Sequence, residues 1–182
     1  MVEGFGGLTE LSYHRVGWGD EKVVALMATL REVPCSGVVS LDLSLNYELR
    51  SGEALAGIGQ LTGLRRLNLN YCSRLASLPD TMGRLSALQW INLNLCSGLA
   101  SLPDTIGQLS ALQQLNLRFC HGLTSLPDTM GQLSALQEIS LSKCDGLVSM
   151  PDLSGLPGLD VYPLPRRLLP WEAGGRKAWK AE

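Results

Sequence analysis

The sequence predicts an α/β solenoid, in which short strands stack into one parallel sheet on a concave face and helical or 3-10 turns close the convex side. Three observations carry that prediction. The phrase "LNLNYCSRLASLPDTMGRLSAL" at Leu67 recurs as "INLNLCSGLASLPDTIGQLSAL" at Ile91, as "LNLRFCHGLTSLPDTMGQLSAL" at Leu115 and, shortened, as "ISLSKCDGLVSMPDLSGL" at Ile139, a period of 24 residues. Inside each copy the apolar residues alternate as L-x-L, the period-two pattern of a strand with one buried face. A unit this short cannot bury its own apolar face, so neighbouring copies must stack to close a core.

Aligned, the copies share the frame L-x-x-L-x-L-x-x-C, filled by Leu64, Leu67, Leu69 and Cys72, then Leu88, Ile91, Leu93 and Cys96, Leu112, Leu115, Leu117 and Cys120, and Leu136, Ile139, Leu141 and Cys144. Upstream, Val38, Leu41, Leu43 and Asn46 fit the frame, and Leu8, Leu11, Tyr13 and Val16 fit it more weakly. Downstream, Leu159, Tyr162 and Leu164 continue it. The repeats therefore start near 8, 38, 64, 88, 112, 136 and 159.

The convex segments follow from what lies between the frames. In the long first unit Val23, Val24, Leu26, Met27 and Leu30 recur at helical spacing, which predicts a helix over about 21–31 with Asp20 as its N-cap. In the 24-residue units "SLPDTMGRLSAL" places a proline and a glycine where a long helix would run, so only a single turn or a 3-10 piece fits. Asp80, Asp104, Asp128 and Asp152 each follow a proline there and are expected to cap those turns. The repeat domain is expected over 1–165. After it, "PLPRRLLPWEAGGRKAWKAE" abandons the frame, and residues 160–182 hold five Lys/Arg against three Asp/Glu, a local charge of +2. Residues 166–182 read as a basic tail, whose Trp171 and Trp179 form either a docking peptide or a plain chain end.

The frame, with Cys in its last slot and the S-L-P-D-x-x-G continuation, resembles the leucine-rich repeat, in particular the repeat regions of plant-type disease-resistance receptors and of Ras-binding leucine-rich scaffolds. The helical first unit is similar to the repeats of the ribonuclease-inhibitor class. The resemblance is close over 64–151 and loose over 38–63. It implies a right-handed superhelix and a non-catalytic module that binds a protein or peptide. The other use of such an array is as a structural subunit, stitched into a larger assembly through its edges and tail.

Composition narrows the field further. A formal net charge of −2 over 182 residues gives no electrostatic reason to approach nucleic acid or an anionic membrane. The apolar run "VVALMA" stops at Thr29, too short for a bilayer, so no membrane insertion is expected. The N-terminus lacks a basic stretch followed by an apolar one, the five cysteines have no close pair, and no N-x-S/T sequon occurs, a pattern that points to the cytoplasm.

Chemistry-bearing residues all have plainer roles. Four cysteines at one frame position, stacked about 4.8 Å apart, make a ladder of buried thiols rather than a zinc site. Cys35 lies outside that ladder. His14 and His121 belong to no nucleophile or metal pattern, and no G-x-G-x-x-G opens a helix to hold a phosphate, so neither catalysis nor a cofactor is expected. The binding residues are sought on the concave face instead. Strand alternation turns frame positions three, five and seven outward, namely Arg66, Asn68 and Asn70; Trp90, Asn92 and Asn94; Gln114, Asn116 and Arg118; and Glu138, Ser140 and Ser142. The asparagine row through 68, 92 and 116 serves either solvent or hydrogen bonding along the sheet as readily as it serves a partner. Trp90, flanked by Arg66 and Arg118, has the composition of an interface hot spot.

Overall fold

A computed structural model of the chain describes residues 10–32, 37–156 and 158–162. Leu8, Cys35, Leu164, Trp171, Trp179 and the tail over 166–182 lie outside the described residues.

Seven three-residue strands form one sheet in chain order: β1 (Glu10–Ser12), β2 (Ser40–Asp42), β3 (Arg66–Asn68), β4 (Trp90–Asn92), β5 (Gln114–Asn116), β6 (Glu138–Ser140) and β7 (Asp160–Tyr162). Every neighbouring pair is parallel, in a register that aligns Leu11, Leu41, Leu67, Ile91, Leu115, Ile139 and Val161. These residues form one buried row, and Leu43, Leu69, Leu93, Leu117 and Leu141 form the next. The frame's inward slots are thus the core, shared between successive repeats.

The convex side shortens along the chain. It begins with α1 (Asp20–Glu32), which buries Val23, Leu26, Met27 and Leu30. It continues as the 3-10 helices η1 (Gly52–Gln60), η2 (Asp80–Arg84), η3 (Asp104–Gln108) and η4 (Asp128–Gln132). Proline in the later units supplies the extended residue before each turn, with Pro79, Pro103 and Pro127 at the N-cap positions.

The aspartates do not cap as expected. Asp80, Asp104 and Asp128 are the first residues inside their turns, and the N-cap prolines offer no side-chain bond. Only Asp152 bonds a turn, where its Oδ1 accepts from Ser154 N–H at 2.9 Å. Asp20 is likewise inside α1, and its carboxylate accepts from Arg50 N–H at 2.8 Å and Ser51 N–H at 3.1 Å in the next repeat. It ties two units together instead of capping its own helix.

Two further corrections fall at the ends. Val16 does not occupy the ladder slot but is 48% exposed. The first turn is closed instead by Tyr13 stacked on Trp18, their ring centroids 4.5 Å apart. At the other end Val161, not Tyr162, stands opposite Ile139, because the last unit is one residue shorter before its strand.

Glycine in the convex turns is fixed by close approach. A Cβ on Gly83 would stand 2.9 Å from the backbone oxygen of Thr105, and one on Gly107 would collide with the backbone oxygen of Thr129. Each turn therefore rests on the next with no room for a methyl group. Gly107→Ala is expected to cost about 1–3 kcal/mol from overpacking, more than the roughly 0.4–1 kcal/mol that alanine returns by restricting the unfolded chain. A denaturant midpoint equal to or above that of the parent protein would show that the turns can separate freely.

Candidate functional site

The outward face of the sheet is shaped by how each strand begins. The carbonyl of Arg65 accepts from both Gln89 N–H (2.9 Å) and Trp90 N–H (3.0 Å), and Gln89 and Gln113 repeat the pattern with the next units. Two residues thus oppose one, as in a β-bulge, so frame positions two and three both turn toward solvent. Arg65 and Arg66, Gln113 and Gln114, and Gln137 and Glu138 are all exposed, and Gln89 and Trp90 are half-buried. Strict alternation assigns position two to neither face and so passes over Gln89 and Gln113. Their recurrence at one frame position is the only sign of them in the sequence.

Arg66, Gln89, Trp90, Gln113 and Gln114 line an open hollow of about 390 Å³ on this face. Of the predicted residues the hollow gathers Arg66, Trp90 and Gln114. Trp90 is half-buried rather than fully exposed, with Arg66 beside it on β3 and Gln114 on β5. Arg118 does not flank it. That residue lies past the end of β5, its guanidinium 5.9 Å from the centroid of the Phe119 ring.

The asparagine rows are used locally in part. The Oδ1 atoms of Asn68, Asn92 and Asn116 accept from the N–H groups of Asn70, Asn94 and Arg118 at 3.1–3.2 Å, as Asp42 does for Ser44. The second row is linked where Asn94 Nδ2 donates to Asn70 Oδ1 at 3.1 Å. This is an ordered polar floor with its amide groups fixed in place. Ser140 and Ser142 are buried, so the floor closes over at β6, while Glu138 stays exposed.

Behind this floor Cys72, Cys96, Cys120 and Cys144 are buried and unpaired by disulfides. Each Sγ donates to a carbonyl of the preceding repeat, from Leu43, Leu69, Leu93 and Leu117 in turn, at 3.0–3.3 Å. Burial pushes the Cys72 and Cys144 thiols from the ordinary 9.0 up to about 12, and the two inner thiols higher still. The sulfurs form a row, and among the described residues no three His, Cys, Asp or Glu side chains converge to hold a metal ion.

Because the folded thiols hold their protons more tightly than unfolded ones, the folded state binds more protons at alkaline pH. Stability is therefore expected to be complete below about 9 and to fall as the pH rises toward 12. In a Cys35→Ser variant the four ladder thiols should react with a thiol reagent only at the rate of unfolding. Cys96→Ser, which keeps a donor in a site shaped for sulfur, should cost modest stability, and neither protein should carry zinc. Rapid labelling of the native variant, or stoichiometric metal, would overturn the ladder reading.

The histidines each meet a partner from the adjoining repeat. His14 Nδ1 lies 2.9 Å from Ser44 Oγ, and exposed His121 Nδ1 lies 3.4 Å from Asp145 Oδ2, one period further on. Among the described residues neither pair has a third side chain bonded to the histidine ring, and Ser44 is buried.

Comparison with known proteins agrees with the architecture. A sequence model of a family described as a leucine-rich repeat region matches residues 21–163. The leucine-rich repeat domain of the type III effector XopL superposes with a TM-score of 0.60 at 26% identity, covering 69% of this chain and 42% of that one. A Leptospira interrogans leucine-rich repeat protein superposes with a TM-score of 0.54 at 32% identity, covering 89% of this chain and 36% of that one. The chain thus spans less than half the length of either structure. No curated protein matches the sequence. Among the described residues no helix is long and apolar enough to cross a membrane.

Proposed function

Since the chain belongs to the leucine-rich repeat family, a fold built for protein–protein interaction, we propose that it is a non-catalytic module that binds a protein or peptide on its concave face, across β3 to β6. The observation that carries this reading is the hollow around Trp90. A half-buried indole, walled by Arg66, Gln89, Gln113 and Gln114, presents an aromatic ring within a mostly polar hollow. Such a ring contributes contact area at little further entropy cost, and the surrounding amides and guanidinium supply directional bonds. The contact residues of this reading are Arg66, Asn68, Asn70, Trp90, Asn92, Asn94, Gln114, Asn116, Arg118 and Glu138. A cytoplasmic setting, where buried thiols stay reduced, belongs to the same reading.

Capture of partners from the native source, identified by mass spectrometry, is the first test. Trp90→Ala is expected to lower the affinity of the captured partner by more than 1 kcal/mol while the circular dichroism and melting of the array stay those of a folded protein. Normal binding by folded Trp90→Ala, Arg66→Ala and Arg118→Ala proteins would move the site off the concave face, to the convex loops or the Trp171 tail. A single partner held at one-to-one stoichiometry would favour the structural-subunit role instead.

A further inference from the structure

The row of side chains that begins each strand is polarised. From β1 to β7 it reads Glu10, Ser40, Arg66, Trp90, Gln114, Glu138 and Asp160 in register. The bulge adds Arg65 beside Arg66, so β3 presents two exposed guanidinium groups, neither of which has an ion-pair or hydrogen-bond partner among the described residues. At β6 and β7 the exposed Glu138 and Asp160 present two carboxylates, and among the described residues only the Glu138 side chain is engaged, by Gln114 Nε2 at 3.4 Å. Between the two charged ends lies the hollow of Trp90, whose lining beyond Arg66, namely Gln89, Trp90, Gln113 and Gln114, carries no charge. Asp42 and Arg118, the nearest other charges, sit in the fifth and seventh rows, and Glu10 stands two strands beyond Arg66.

Resting on the concave-face reading above, we infer that the ligand is an extended peptide carrying an acidic and a basic side chain four residues apart, with an apolar side chain midway between them. The spacing is set by the two lattices. β3 and β6 are three strand steps of about 4.8 Å apart, about 14 Å in all, and an extended chain covers that distance in four residues at about 3.4 Å each. Residues two and four apart along such a chain point to the same side. The acidic group then meets Arg65 and Arg66, the apolar one enters the Trp90 hollow, and the basic one meets Glu138 and Asp160. A peptide with like charges at the two positions places one of them against its own sign, which costs affinity at the rim and slows association. Either chain direction satisfies the pattern, so both acid-x-apolar-x-base and base-x-apolar-x-acid are ligands.

The test uses a displayed library of random dodecapeptides selected against the full chain and against two surface variants, Arg65→Glu with Arg66→Glu, and Glu138→Lys with Asp160→Lys. The parent protein is expected to enrich opposite charges at positions i and i+4 around an apolar residue. The first variant should enrich basic residues at both positions, and the second acidic residues at both. A synthetic parent-selected peptide should bind each variant at least tenfold more weakly, with the variants' circular dichroism unchanged. Peptides that need Trp90 but show no charge spacing, or the same selection by all three proteins, would overturn the inference and leave the concave-face reading standing. No enriched peptide at all would overturn the inference, and peptides that bind folded Trp90→Ala, Arg66→Ala and Arg118→Ala proteins normally would overturn both.

Discussion

Leu93→Ala is expected to destabilise the protein by about 2–5 kcal/mol, among the largest losses from any single side chain. Leu93 is wholly buried in the inward row between Leu69 and Leu117, in the middle repeat of the array. Truncation removes apolar contact on both sides at once, and the rigid inter-repeat bonds resist closing the cavity. The carbonyl of Leu93 accepts from Cys96 N–H at 3.1 Å and from Cys120 Sγ at 3.2 Å, so the backbone cannot sink without breaking both. In a solenoid each unit contacts only its neighbours, so an inner unit loses two interfaces where an outer one loses one. Leu11→Ala, in the first described strand, should therefore cost clearly less. Equal shifts in denaturation midpoint for the two variants would contradict a core shared repeat by repeat.

Asn46→Ala should cost about 3 kcal/mol, a large effect for a polar residue. Asn46 is fully buried. Its Nδ2 donates to Tyr13 O at 2.9 Å and Leu43 O at 2.8 Å, and its Oδ1 accepts from Trp18 N–H at 2.8 Å. Removing the amide leaves the part-buried Tyr13 O and Trp18 N–H without this partner, at about 1–3 kcal/mol for each that finds no water, while Leu43 O keeps its bond from Cys72 Sγ. The same frame position holds cysteine in the later repeats, whose single S–H reaches the carbonyl that corresponds to Tyr13 O. Asn46→Cys should thus retain one bond and cost less than Asn46→Ala. A difference below about 0.5 kcal/mol between the two would show that the bond to Tyr13 O carries no stability.

These two positions show how far local pattern reaches. Leu93 is legible from periodicity alone, because L-x-L repeated every 24 residues has one buried solution. The cysteine ladder is legible for the same reason, since a small apolar residue with a weak donor suits a slot that is identical in each unit. Asn46 is legible as a frame position, but its weight is not, because the first unit is longer than the rest and leaves Trp18 N–H without a partner of its own repeat.

The period, the inward slots, the shortening of the convex side and the polar outer face of the sheet are all legible in the chain alone, because each depends on neighbours a few residues apart. The remainder depends on contacts one repeat or more away. The carbonyl of Arg65, shared between Gln89 and Trp90, turns frame positions two and three both outward, which sets Gln89 and Gln113 around Trp90 and Arg65 beside Arg66. Arg118 packs over Phe119 in its own repeat rather than beside Trp90. Asp20 serves the backbone of the next unit, and the missing residue before β7 puts Val161 in the core. In a solenoid the side-chain pattern specifies each layer, while the hydrogen bonds between layers fix which residues share a surface.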